Sequence, residues 1–226
     1  LSTEHQQYWN SYLAVDSVSM SEPYLRSSIE GKFWTNHSVR HAIGEEIRLI
    51  RDLTEAIWGA SLFRAPPQGD VPIGLTTFLR PTAENFNRFA MALDKLLSDS
   101  IDVKFFEGKV PLETETPRPH GKIAVQNKGT LTLLEEWLLQ EITWDDPDAF
   151  RKVVIGPFRK VRRLRQRPAH TITRNTFSAE YRQLRKRLLW DVFNSLSNIR
   201  ATFAKHPRAR DIPIPKWLDD GRIDVF

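Results

Sequence analysis

Apolar residues return every third or fourth position over most of this chain, and that spacing predicts helices before any other signal is consulted. Between His37-Ser38 and Leu62 the stripe is Val39, Ile43, Ile47, Ile50, Leu53 and Ile57, with Arg40, Glu45, Arg48 and Arg51 on the polar side. A second helix opens at Pro81-Thr82-Ala83-Glu84, buries Phe86, Phe89, Leu93 and Leu96, and closes at Ser98-Asp99-Ser100. A third runs from Thr130 to Ile142 through Leu131, Leu134, Trp137 and Leu138. The longest begins at Phe177-Ser178-Ala179-Glu180, with Ser178 as N-cap, and repeats Tyr181, Leu184, Leu188, Val192, Leu196, Ile199 and Phe203 before Pro207 stops it. Trp217 in the tail is expected to pack back onto the bundle.

Weaker patterns lie between these. Ser2-Thr3-Glu4 caps a short helix reaching about Val15, and residues 16–38 read as loop or short helix. Two apolar runs, Val71–Leu79 and Ile101–Phe106, read as short strands around the second helix, which would make a small α+β element; an all-helical reading stands beside it. Residues 107–129 hold Pro111, Pro117, Pro119 and Gly121 with little periodicity and read as a linker. The expected fold is mainly α: an N-terminal helical or α+β region over 1–120 and a helical bundle over 126–226.

Charge changes the picture. The net charge is only +5, but residues 151–187 carry ten arginines and three lysines against Glu180 alone. Residues 1–150 are net acidic, with 22 acidic side chains to 14 basic. A segment so basic favours a polyanionic partner: RNA, DNA or an acidic protein. There is no cysteine, so disulfides, thiolate metal sites and cysteine nucleophiles are excluded. No apolar run approaches the roughly 20 residues of a membrane span, no secretory signal pattern opens the sequence, and a cytoplasmic protein is expected. Phosphate-cradling Gly-rich loops, His-Glu-x-x-His and Gly-x-Ser-x-Gly are absent. His37 and His41 stand four apart without a third ligand nearby, so neither a metal nor another cofactor is expected.

Within the basic segment, Gly156-Pro157 starts a helix whose buried stripe is Phe158, Val161 and Leu164, and Pro168 ends it near Arg165 or Arg167. His170 then follows the helix terminus, in Arg165-Gln166-Arg167-Pro168-Ala169-His170. An arginine and a histidine with four residues between them, preceded by an apolar helix and followed by a long amphipathic one, resemble the motif of the HEPN superfamily of helical domains. The resemblance covers the C-terminal half. Gln166 departs from the Asn, Asp or His that often follows the motif arginine in active members. Arg200 and His206 form a second match, with five residues between them, at the end of the long helix.

The resemblance implies an endoribonuclease that needs no metal and works as a homodimer, with two motifs facing each other in a composite site. His170 would be the acid or base, because imidazole exchanges protons near neutral pH. Arg165 would be the phosphate clamp, because guanidinium stays charged and presents a planar fork of donors. Arg159, Arg162, Arg163, Arg167, Arg174 and Asn175 would contact the RNA. Such domains usually serve as toxins or defence effectors, which implies an antitoxin or defence-system partner. The other reading is a non-catalytic HEPN-like module that binds nucleic acid or holds a dimer inside a regulatory complex. The structural reading of the acidic pairs gives Glu135 or Glu136 a salt bridge to the basic helix.

Overall fold

The computed structural model describes residues 3–10, 25, 28–30, 37–65, 80–119, 122–166 and 175–224. The fold is mainly helical, with two small two-stranded sheets among the described residues. A short helix α1 spans Thr3–Asn10. Helix α2, Val39–Trp58, starts where Ser38 Oγ accepts the His41 amide at 3.2 Å, and ends at Gly59, whose φ of 72° suits a residue without Cβ. All six apolar positions read from its sequence are buried. It packs along α7, Glu180–Phe203, which buries Leu188, Val192, Leu196, Ile199 and Phe203 against it. Ser178 Oγ accepts the Glu180 amide at 3.2 Å at the start of α7.

A second layer comes from α3, Ala83–Asp94, and α6, Gly156–Gln166, which pack on each other and on α7. The strands Glu113–Arg118 (β2) and Lys122–Asn127 (β3) precede α4, Thr130–Glu141. Trp137 of α4 is fully buried, and its ring lies 5.0 Å from Trp58, 4.7 Å from Phe105 and 5.8 Å from Phe203. One apolar core runs from Val39 to Ile223 and draws on α2, α3, α4, α6 and α7 together.

Two helical stretches widen into π turns. Helix α3 continues into one at Lys95–Asp99. The short helix α5, Pro147–Phe150, capped by Asp146, continues into another at Arg151–Ile155 and then into α6. The chain is thus helical from Pro147 to Gln166, where the sequence suggested a fresh start at Gly156-Pro157. The Gly156 amide reaches back to the Arg151 carbonyl, and Pro157, having no amide, leaves the ladder one bond short at the junction.

The strand expected at Ile101–Phe106 is instead one bridge, Ile101 to Phe63, followed by a 3-10 turn over Val103–Phe106 that buries Phe105 and Phe106. Asp102 caps that turn by accepting the Lys104 amide, which favours the tighter coil. The strand expected at Val71–Leu79 lies outside the described residues. The segment read as a linker contains the β2–β3 hairpin, antiparallel with Ile123 opposite Pro117 and Val125 opposite Glu115. Helices on either side of it share the single core. A second, parallel pair joins β1, His37–Ser38, to β4, Ile223–Asp224. Just before β4, the short helix α8 (Lys216–Asp219) sets Trp217 4.0 Å from the His37 ring and 5.4 Å from that of His41, so the tail does fold back.

Candidate functional site

The basic helix α6 packs on α3 and α7, and α3, α4 and α7 each turn a carboxylate toward it. Phe158 and Val161 are buried beneath it, which fixes its rotation and sends its cations to the flanks. On the α4 side, Arg159 reaches Glu135 Oε2 at 2.5 Å, and Arg151 from the π turn donates to Glu135 Oε1 and Asp148 Oδ1, both at 2.9 Å. On the α7 side, Lys160 meets Asp191 at 2.9 Å. The structural reading of Glu135 therefore holds: it links α4 to the basic helix.

The α3 side carries the tightest arrangement. Arg165 Nη1 donates to Asp94 Oδ2 at 2.6 Å and stands 3.6 Å from Asp99 Oδ1. Arg162, one turn earlier, places Nε 3.7 Å from Asp94 Oδ1 and Nη2 4.0 Å from Asp99 Oδ1. Asp94 is fully buried and also accepts from Ser98 Oγ at 2.7 Å. The hydrogen bond to Asp94 raises the pKa of Arg165 further and holds its guanidinium charged. The π turn makes this grouping possible. In an α-helix, residues five apart are separated by about 140° around the axis, whereas the i to i+5 bonding of a π turn brings Asp94 and Asp99 to one side.

Arg165 thus sits in the last turn of α6, with one nitrogen on a buried carboxylate and 40% of its side chain exposed. Arg163 is exposed and forms no ion pair with a described residue. Asn175 stands at the start of α3: its Oδ1 accepts the Glu84 amide at 3.1 Å and its Nδ2 donates to Glu84 Oε2 at 3.3 Å. Beside it, Thr82 and Phe177 bridge the two segments. Arg167, Pro168, His170 and Arg174 lie outside the described residues. The structure therefore brings Arg159, Arg162, Arg163 and Arg165 onto one helix and sets Asn175 at the mouth of α3.

The second arginine–histidine match is used inside the fold. Arg200 is buried and bonds Glu46 Oε2 at 2.7 Å and Asp219 Oδ1 at 3.1 Å. His206 Nδ1 accepts the Arg208 amide at 3.2 Å, capping a 3-10 turn. Among the described residues, no three potential ligands gather closely enough to hold a metal ion, and no helix is long and apolar enough to cross a membrane. Comparison with protein-family models, with curated proteins and with solved structures gives no match.

The sequence reading missed Asp94, Asp99 and Asp191 as partners of the basic helix. Asp94 did carry a signal. It follows Leu93 on the face marked by Phe86, Phe89, Ala90 and Leu97, and a carboxylate inside an apolar stripe calls for a buried cation.

Proposed function

We propose that the chain is a metal-independent endoribonuclease with Arg165 as phosphate clamp and His170 as acid or base. The observation that carries this reading is the state of Arg165. A buried carboxylate orients it at the end of α6, and 40% of its side chain is exposed, five residues before His170. A guanidinium positioned in advance needs little reorganisation when a phosphate arrives. The resemblance to HEPN domains in the motif and its flanking helices supports the same assignment.

The chemistry has two proton transfers. A base removes the proton of a ribose 2′-hydroxyl, whose oxygen attacks the adjacent phosphorus. An acid then protonates the departing 5′-oxygen, and the products are a 2′,3′-cyclic phosphate and a 5′-hydroxyl. One arginine and one histidine per chain supply only half of the groups this sequence needs, so the site is read as composite and the chain as a homodimer. A cytoplasmic toxin or defence effector with an antitoxin or defence-system partner fits this activity. Arg163, exposed and in no ion pair with a described residue, adds a cation along the strand, and residues 1–120 would serve sensing or partner contact.

A specific observation favours a second reading. Arg159, Lys160, Arg162 and Arg165 each meet a carboxylate of the same chain, as a helix does when its charge serves the bundle. On that reading the protein is a non-catalytic nucleic-acid-binding or dimerisation module.

The two are separated by incubating RNA in excess EDTA with the parent, His170→Ala and Arg165→Lys. The lysine variant keeps a cation opposite Asp94 but loses the planar fork. Cleavage by the parent and a loss of about 100-fold or more in both variants supports the enzyme. Binding without cleavage, equal in all three, supports the module.

A further inference from the structure

The two carboxylates that face Arg162 and Arg165 are not equivalent. Asp94 is fully buried, and both its oxygens are engaged, by Arg165 Nη1 and Ser98 Oγ. The Asp99 side chain is 45% exposed, and its Oδ1 stands 3.6 Å from Arg165 and 4.0 Å from Arg162, beyond hydrogen-bond distance of both. Asp94 is a post; Asp99 is a loosely seated anion at the rim of two guanidiniums.

A carboxylate and a phosphodiester share a single negative charge and two outward oxygens, so they compete for the same cationic seat. Arg162 and Arg165 are three apart on α6, on one face. We propose that Asp99 fills, in the free protein, the seat that one RNA phosphate takes on the Arg162–Arg165 pair. The strand binds by displacing Asp99, while Asp94 keeps the Arg165 guanidinium in place. This inference rests on the reading of Arg162 and Arg165 as RNA ligands and adds to it a built-in competitor.

The exchange is easy to describe in charge. One anion leaves the pair as another arrives, and the departing one stays tethered and turns into solvent. Arg163, exposed and next to Arg162, attracts the strand beforehand. Removing the Asp99 charge therefore tightens the complex, because the strand no longer displaces a rival.

The test uses the full chain and a fluorescent single-stranded 2′-O-methyl oligoribonucleotide, which lacks the attacking hydroxyl and so survives the measurement. Anisotropy titrations compare the parent, Asp99→Asn and Asp148→Asn. Asp148 is the matched control: its side chain is 92% exposed and paired with Arg151, and its loss changes the net charge by the same amount. Asp99→Asn is expected to lower Kd roughly three- to fivefold, the range of a single exposed ion pair, with Asp148→Asn close to the parent. Equal Kd for the parent and Asp99→Asn overturns the inference, as does equal tightening by both variants, which would be an effect of net charge alone.

Cleavage of unmodified RNA in EDTA keeps the two ideas apart. If the parent cleaves and Asp99→Asn leaves Kd unchanged, the inference falls and the enzyme stands. If Asp99→Asn tightens binding and nothing cleaves, the enzyme falls and the inference stands. If no form binds RNA, both fall.

Discussion

Two carboxylates stand inside apolar stripes, Asp94 on α3 and Glu46 on α2, and each meets an arginine from a helix far away in sequence. Burial pushes the Glu46 carboxyl up to about 7, and the attraction of Arg200 opposes that shift only in part. The consequence for stability has a definite sign. Below the ordinary value near 4.5, both folded and unfolded chains hold the proton, and the full stability is present. As pH rises toward 7 the unfolded chain gives up its proton first, so stability falls across that window and the loss is complete above it. Glu46→Gln removes this titration and keeps an oxygen that can accept from Arg200. Urea unfolding at several pH values should show the parent losing stability relative to Glu46→Gln between pH 5 and 8. A constant difference would mean that Glu46 ionises normally. The signal for these residues was present in the chain, as charges at helical spacing among Leu, Ile and Phe, but a stripe does not name its partner. Arg200 and Arg165 are two of many arginines, and only the packing of α2 on α7 and of α3 on α6 selects them.

At the scale of elements, the sequence was readable wherever one physical period governed a long stretch. The six stripe positions of α2 and the stripe of α7 from Leu188 to Phe203 are buried as the spacing predicts, whereas Tyr181 and Leu184 stay half-buried and Leu49, Leu189 and Phe193 are buried beyond the stripe. Leu196 is fully buried on α7, which packs against α2. Leu196→Ala should lower the unfolding free energy by about 2–5 kcal/mol, the range for a large core side chain cut back to a methyl; denaturant titration measures it. The π turns were not legible, because they insert one residue into a helix without a change of composition. Their effect reaches the candidate site: a strict α-helix would send Asp94 and Asp99 to different sides. The β2–β3 hairpin was missed for another reason. Its strands, with Thr114, Thr116, Ile123 and Val125 among prolines and charges, lie on no core, so the alternation that marks a half-buried strand is weak. Arg165 itself stood out in the sequence, but the carboxylates that hold it did not, since they come from α3 and the π turn that continues it.

For the molecule as a whole, the apolar core is continuous across the boundary drawn through residues 107–129. Helix α2 from the first half lies on α7 from the second, and α3 lies on α6. Separate fragments 1–120 and 126–226 would each expose one side of these contacts. Circular dichroism of either fragment in urea should show no cooperative transition, while the whole chain shows one; an independently cooperative 126–226 would establish the C-terminal half as a unit of its own. The β1–β4 clasp shares this long-range character in miniature. His37 donates to the Arg222 carbonyl at 2.9 Å, and nearly the whole described chain lies between the two. Two residue pairs cannot bring such distant segments together against the entropy of the loop they close; the helices have to do so first. The clasp is therefore expected to form after the helices and to open before them, and amide hydrogen exchange at its strands should report that partial opening well before the bundle itself gives way.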